Sequence, residues 1–278
     1  MSNWQFADLL CTSNFSFLKS ASHPEELVEQ ASILGYRALA LTDECSLAGI
    51  VKAHVAARQT GLHLIVGSQF TLSDHCEFAG QRIVLLVKNK MGYAHLCRLI
   101  TQARTRAKKG EYSLTVKDLI DAPPGLLILV VPNPALSKAQ LTRLLSWANA
   151  RFNGRLGLAV TAHKQGFDSQ WAKYLQSLSV MYNATLLPTN DALMHQADLK
   201  PLHDVLTAIR VNASLDQARG DIQPNAQRHL QPIHELNRLF EQNWLNNTVQ
   251  WAQLCTFSME ELRYQYPREI TPEGLSPG

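Results

Sequence analysis

The run Ala38-Leu39-Ala40-Leu41-Thr42-Asp43-Glu44 limits the fold more than any other stretch, because an apolar strand ends on an acid and a helical pattern follows Gly49. Barrels of alternating strands and helices present chemical groups in this way, at the C-terminal ends of their strands. The same alternation runs through the first two thirds of the chain and predicts an α/β domain with a parallel sheet. Phe6 to Cys11 reads as the first strand. Ser22 as N-cap and Pro24 in the first turn open a helix with Leu27, Val28, Ala31 and Leu34 at helical spacing, closed by Gly35. Ala38 to Thr42 is the second strand, Leu47 to Thr60 the second helix, and Leu64 to Gly67 the third strand, continued by Gln69 to Leu72. The polar segment Ser73 to Gly80 turns the chain into Arg82 to Val87, whose uninterrupted apolar interior marks a strand buried on both faces. A helix follows from about Tyr93. Pro123-Pro124-Gly125 introduces Leu126 to Val131, and Leu156 to Val160 and Ala184 to Pro188 close the strand series, with an amphipathic helix around Trp171 to Val180 between them. Beyond Asp191 the pattern turns helical, over Pro201 to Val211 and Ile233 to Leu254. A boundary near residue 220 therefore separates a barrel domain, 1–220, from a helical extension and connector, 221–278.

Composition sets the outer bounds. The chain has 278 residues, 46% hydrophobic and 18% charged, which suits one large domain and accommodates a barrel of about 250 residues. Its formal net charge of +3 neither demands nor excludes contact with phosphate backbones. Cys11, Cys45, Cys76, Cys97 and Cys255 are odd in number and lack CxxC spacing, which argues against a disulfide framework or zinc knuckle and for a reducing compartment. No basic flank with an apolar core opens the chain and no apolar run approaches 18 residues, so the expectation is a soluble cytoplasmic protein without membrane contact. Neither a Gly-x-Ser-x-Gly elbow, a Walker A loop nor a GxGxxG turn is present.

Leu10-Cys11-Thr12-Ser13-Asn14-Phe15-Ser16, the Ser22-His23-Pro24-Glu25-Glu26-Leu27 helix start and Thr42-Asp43-Glu44-Cys45-Ser46-Leu47-Ala48-Gly49 together resemble the PHP domain (polymerase and histidinol phosphatase) of bacterial C-family DNA polymerases, nearest to the error-prone type. Lys88-Asn89-Lys90-Met91-Gly92-Tyr93, Leu206-Thr207-Ala208-Ile209-Arg210 and Leu262-Arg263-Tyr264-Gln265-Tyr266-Pro267 extend that likeness toward the tail. The resemblance implies a PHP-type distorted (β/α)7 barrel with a mainly helical C-terminal extension. It also implies the N-terminal domain of a larger polymerase, whose magnesium-binding core would follow Gly278, so that this chain does not polymerise by itself. Partners would be that core, DNA through the parent, and mutagenesis accessory proteins and a sliding clamp.

Metal-binding PHP domains gather His, Asp, Glu and Cys ligands at the barrel mouth, and the resemblance maps those positions onto this chain. The first His-x-His becomes Leu10-Cys11-Thr12, and the next acidic position becomes Asn14. Thr-Asp-His becomes Thr42-Asp43-Glu44, Gly-x-Glu-Phe becomes Gly67-Ser68-Gln69-Phe70, a strand-opening histidine becomes Arg82, and Thr-Asn-Asp-x-His becomes Thr189-Asn190-Asp191-Ala192-Leu193. Only Asp43 and Asp191 keep their identities. A leucine supplies no lone pair, and clustered catalytic ions need many donors at once. The expectation is a vestigial site with no catalytic residue and no resident metal, in which Arg82 pairs with Asp43 or Asp191 where a cation had been. Were any ion held, Asp43, Asp191 and His195 would hold it. A phosphoesterase or 3′–5′ exonuclease with an altered ligand set would have to converge Asp43, Glu44, Asp191, His195 and His163. His163 follows a strand end and can reach the mouth, though such a histidine more often packs or meets solvent, as expected of His54, His63 and His95. Cys11 and Cys45 flank the mouth but alternate away from it. A third reading takes Arg98, Arg104, Arg106, Lys108 and Lys109 as a DNA-backbone contact, against the simpler one of a solvated helix end that complements the helix dipole.

Overall fold

The computed structural model describes residues 5–73, 77–120 and 124–262. Among them seven strands form one sheet in sequence order: β1 (Ala7–Cys11), β2 (Ala38–Leu41), β3 (His63–Thr71), β4 (Arg82–Val87), β5 (Leu126–Val131), β6 (Leu156–Val160) and β7 (Thr185–Pro188). The sheet curls until Cys11 of β1 bridges Ala192, just past β7, and Thr12 N–H donates to the Ala192 carbonyl at 3.0 Å. This is a nearly closed, distorted barrel wrapped by helices, as the resemblance implied.

The sheet is not wholly parallel. β4 runs antiparallel to both β3 and β5, while every other pairing is parallel. The cause is the short link between Thr71 and Arg82, since a parallel return needs a crossover of a dozen or more residues and a hairpin does not.

Alternation sorts the strand residues into two cores. Leu39, Leu41, Ile83, Leu85, Ile128, Val130 and Leu158 face the helices, and Ala38, Ala40, Val84, Leu86, Leu127 and Leu129 fill the barrel. β1 breaks the rule. Asp8 pairs with Leu39 and Cys11 with Leu41, so β1 carries an extra residue there. That irregularity turns both Leu9 and Leu10 inward and leaves Asp8 and Cys11 outside, as a bulge does.

The first helix, α1 (Pro24–Ile33), begins one residue later than the capping reading placed it. His23 is the N-cap, its backbone N–H bonded to the Glu26 carboxylate at 2.8 Å, and Pro24 occupies the first turn. Ser22 is fully buried and bonds His195 instead. The next helices are α2 (Ile50–Thr60), α3 (Lys90–Thr105), α4 (Lys138–Arg151), α5 (Asp168–Met181), α6 (Lys200–Arg210), α7 (Ile233–Leu239) and α8 (Gln242–Leu254). Asn89 caps α3, its Oδ1 accepting from Gly92 N–H at 3.0 Å. The single helix expected over Ile233 to Leu254 is two, parted where Phe240 turns extended. α4 has no counterpart in the sequence reading.

α8 packs on β7 and β1. Thr248 Oγ1 accepts the Ala7 N–H at 3.1 Å, and Trp251 and Ala252 join the inner core. A methyl added to Gly157 would lie 2.5 Å from Leu187 and 2.9 Å from Trp251, which shows how fully these side chains occupy that end of the barrel. Residues beyond 220 thus contribute to the barrel's core. No described helix is long and apolar enough to cross a membrane.

Candidate functional site at the barrel mouth

Asp191 stands at the centre of the mouth. It follows β7 in the left-handed backbone region, at φ 48°, and its side chain is buried. Arg82, the first residue of β4, grips it bidentately, with Nη1 donating to Oδ1 at 3.0 Å and Nη2 to Oδ2 at 2.5 Å. Arg228 approaches from the segment before α7, its Nη2 2.8 Å from Oδ2 and its Nε donating to the Asp191 carbonyl at 2.9 Å. Burial alone would raise the pKa of this carboxyl. Arg228 and Arg82 outweigh it and hold the group well below the usual carboxylate range. The network continues sideways. Arg82 Nη1 also reaches Gln69 Oε1 at 3.3 Å, and Gln69 Nε2 donates to Thr12 Oγ1 at 2.6 Å and to the Thr42 carbonyl at 2.9 Å. The amide at position 69 is therefore a linker between β1, β2 and the ion pair.

Of the two alternative partners that the sequence offered Arg82, Asp191 is the one it meets. Asp43 is buried at the end of β2. Its Oδ1 accepts from Ser13 N–H at 2.9 Å and Ser16 Oγ at 2.7 Å, and its Oδ2 from Ser13 Oγ at 2.7 Å. Burial raises its pKa above the ordinary value against those hydrogen bonds. The group ties down the loop between β1 and α1. Gly49 lies behind it, where a methyl would stand 3.1 Å from Asp43 Oδ2.

The remaining predicted positions divide between the mouth and its margins. Thr12, Glu44, Gln69, Arg82 and Leu193 line a cavity of about 230 Å³, together with Lys19, Arg210 and Arg228. Glu44 forms an ion pair with Lys19 and accepts from Tyr112 Oη at 2.7 Å. Leu10 is wholly buried inside the barrel. Asn14 Nδ2 lies 2.9 Å from His23 Nδ1, on the α1 side. His195 also turns that way, its Nδ1 2.8 Å from Ser22 Oγ and 3.6 Å from Glu26 Oε2. His163 does reach the mouth: it lines a second cavity of about 350 Å³ with Arg82, Asp191 and Arg228, and its Nε2 lies 3.0 Å from the Asn190 carbonyl. Burial lowers its pKa despite the nearby Asp191. Among the described residues no three His, Cys, Asp or Glu side chains are grouped as a bound metal would require. Cys11 and Cys45 are buried free thiols, and Cys76 lies outside the described residues.

The basic segment divides between Arg104, which turns inward, and four exposed cations. Arg104 donates to the backbone carbonyls of Cys45 and Glu44, both at 3.2 Å, and to those of Gly110 and Glu111 at 3.4 and 3.3 Å. Arg106 pairs with Asp118 and is exposed, as are Arg98, Lys108 and Lys109.

Two groups escaped the sequence reading. Arg228 sits in a Gln-, Asn- and Pro-rich stretch with no periodic signal, so only the folded chain brings it to Asp191. Asp8 is fully buried at the barrel seam. Its Oδ1 accepts from Thr189 Oγ1 at 2.6 Å and Leu10 N–H at 3.3 Å, and its Oδ2 from Asn190 Nδ2 at 2.8 Å and Asn190 N–H at 3.3 Å. Asn190 Nδ2 also donates to Tyr36 Oη at 2.9 Å, and Tyr36 in turn to the Gln231 carbonyl at 2.6 Å. Burial raises the Asp8 pKa to about 6 in spite of these donors. A lone polar residue inside an apolar strand was the available signal.

Comparison with known proteins agrees with this architecture. The chain is 42% identical over 275 residues to an error-prone DNA polymerase of Saccharophagus degradans and 43% identical over 272 residues to one of Teredinibacter turnerae, in each case over 98% of this chain and 26% of the relative. An error-prone DNA polymerase of Dechloromonas aromatica is 43% identical over 100% of this chain and 27% of its own. The chain thus spans about a quarter of the length of these curated relatives. Among solved structures, an amidohydrolase from Chromobacterium violaceum, with bound sulfate and no metal, superimposes at a TM-score of 0.52 with 15% identity, covering 68% of this chain and 87% of that one. An inferred metal-dependent phosphoesterase from Bifidobacterium adolescentis gives a TM-score of 0.50 at 17% identity, covering 67% and 87%. The family model for the PHP domain matches residues 8–186, from the seam aspartate of β1 to the middle of β7. With well over half of its length matched, the chain belongs to the PHP domain family.

Proposed function

We propose that this chain is the N-terminal PHP domain of an error-prone, translesion DNA polymerase, with a degenerate metal site and a structural role in supporting the polymerase. The observation that carries the reading is the Asp191 carboxylate clasped by Arg82 and Arg228. Two fixed guanidinium groups supply the countercharge that a cation would otherwise supply, and they repel any cation that approaches. The donors present do not fit a metal cluster. Asp43 is spent on Ser13 and Ser16, Glu44 on Lys19 and Tyr112, and Leu10 and Leu193 offer no lone pair. Likeness to error-prone polymerases over nearly the whole chain supports the parent assignment. Within such a parent the domain would act with the polymerase core and its magnesium, on DNA in the cytoplasm, alongside accessory proteins and a sliding clamp.

Metal analysis after incubation with manganese, zinc or magnesium, combined with phosphatase and 3′-exonuclease assays, tests the reading. The expected result is no stoichiometric metal and no turnover. Stoichiometric metal with turnover that Asp43→Ala or Asp191→Ala abolishes would replace it with the phosphoesterase reading.

A further inference from the structure

Between α6 and α7 the chain crosses the barrel mouth from Ala218 to Leu230, and both ends of that span are set into the fold. Ala218 is fully buried, and its carbonyl accepts the Asp221 and Ile222 N–H groups. Leu230 is buried too, and the neighbouring Gln231 carbonyl accepts from Tyr36 Oη at 2.6 Å. From Arg219 to His229 no residue is buried. What holds this span down is polar. Asn225 Nδ2 donates to the His163 carbonyl at 2.7 Å, Arg228 grasps both the carbonyl and the carboxylate of Asp191, the Arg228 carbonyl accepts the Leu193 N–H at 2.9 Å, and His229 bridges Met194. Segments with few buried apolar contacts and solvent-facing hydrogen bonds open locally, at a lower free energy than the fold as a whole. Gln223 and Arg228 line both mouth cavities, so the span is a wall common to the two. Of the two guanidinium groups on Asp191, Arg228 is the easier to give up: when it leaves, Arg82 still matches the carboxylate one to one, and Arg228 regains the water it lost on burial.

We infer that residues 219–229 form a lid over the barrel mouth, hinged at Ala218 and Leu230 and bolted by Arg228 to Asp191, which lifts as a unit while the barrel stays closed. Lifting it removes the wall that the two cavities share. They become one cleft with the Asp191 carboxylate on its floor, still paired with Arg82, and the lid thereby governs what reaches that carboxylate. The seam beneath is held independently: Thr12 N–H donates to the Ala192 carbonyl at 3.0 Å and Ala21 N–H to the Leu193 carbonyl at 2.9 Å, bonds in which the lid takes no part. The inference does not depend on the polymerase reading.

Native-state hydrogen–deuterium exchange of the 278-residue chain, at urea concentrations below the unfolding midpoint, tests the proposal, because the Leu193 amide is bonded to the lid whereas the Thr12 and Ala21 amides are bonded to the seam. The expected result is that Leu193 exchanges about a hundredfold or more faster than the β5 amides, at a rate that urea leaves unchanged, as a local opening does. Arg228→Gln, which gives up charge-assisted bonds, should speed Leu193 exchange by about tenfold or more and leave Thr12 and Ala21 unmoved. Asn225→Ala frees the lid from the His163 carbonyl without touching the ion pair; it should speed Leu193 by about threefold or more, and it carries the test if Arg228→Gln does not fold. Leu193 exchange that matches β5 in rate and in urea dependence overturns the lid, since the span then opens only with the whole protein. Acceleration of Thr12 and Ala21 together with Leu193 overturns it as well, the seam itself being what frays. Leu193 exchange that neither substitution changes removes the bolt and the proposal with it.

Discussion

Replacing Asp191 with asparagine separates an ion-paired mouth from a metal site. The substitution keeps the shape and removes the charge that Arg82 and Arg228 share. Asp191 is 4% exposed, and the Arg82 and Arg228 side chains 26% and 16%, so the two guanidinium groups would be left partly buried with no counterion. Breaking a buried pair from one side costs about 3–5 kcal/mol, whereas loss of an exposed pair costs about 0–1 kcal/mol. Unfolding entropies of about 2 cal/mol/K per residue translate the larger cost, for a chain of this length, into a melting point lowered by roughly 5–9 °C. Scanning calorimetry at pH 7, with chelator and then with manganese in about hundredfold excess over a metal site's Kd, reads both possibilities. A bound ion would add roughly 2.7 kcal/mol under those conditions, a rise of several degrees. The expected outcome is that Asp191→Asn melts lower by the same amount in both buffers and that manganese leaves the unsubstituted chain unmoved. The sign with pH follows from the depressed folded pKa. The contribution is fully present above the unfolded value of about 3.9 and is lost as pH falls through the folded one, so the gap between the two proteins stays constant from pH 5 to 8. A variant that melts within 2 °C of the unsubstituted chain, or a manganese-dependent rise that the substitution abolishes, would refute the reasoning.

Asp8 acts with the opposite sign. Its folded pKa of about 6 exceeds the unfolded value, so stability falls by roughly 2 kcal/mol as pH rises from 4 to about 7, through the folded pKa, and is flat above; urea unfolding of Asp8→Asn, with its amide set against the Asn190 donor, should show that slope gone and a loss of about 1–3 kcal/mol at pH 4. Gly92→Ala would place a methyl 1.9 Å from the Gly125 carbonyl oxygen, so α3 must move off β5 at a cost at or above the usual 1–3 kcal/mol of overpacking, visible as a lower urea midpoint. In DNA gel shifts of the full-length protein at two salt concentrations, Lys108→Ala with Lys109→Ala is expected to change binding less than twofold. Arg104→Gln, which gives up its bonds to the Glu44 and Cys45 carbonyls, should lower the melting temperature instead.

The strands were legible wherever apolar runs were bounded by turn residues, and β2, β4, β5 and β6 fall within a residue of where pattern alone set them. Strand direction was less so, because composition does not say whether the link before Arg82 crosses over or doubles back. α4 was missed since its Leu141, Leu144, Leu145 and Ala148 stripe is interleaved with polar residues behind a Pro- and Asn-rich lead. At the mouth, the replaced ligands could be read position by position from the resemblance, and the Arg82–Asp191 pair was one of two arrangements it allowed. The sequence did not say which of the two would form, because Ser13 and Ser16, which claim Asp43, are ordinary loop residues until the loop folds over β2. Arg228 was invisible for the same kind of reason, being contributed by a segment without periodicity.

The extra residue in β1 ties the register of that strand to the integrity of the seam. With a strand period of two, deleting either Leu9 or Leu10 would restore regular pairing with β2, the remaining leucine standing opposite Ala40 between the Asp8–Leu39 and Cys11–Leu41 pairs. Asp8 and Cys11 would keep their outward faces, and the lumen would lose one leucine. Two leucines thus share a single step of β2, and it is between Asp8 and Cys11 that this strand can shorten by one residue without turning its neighbours to the wrong face.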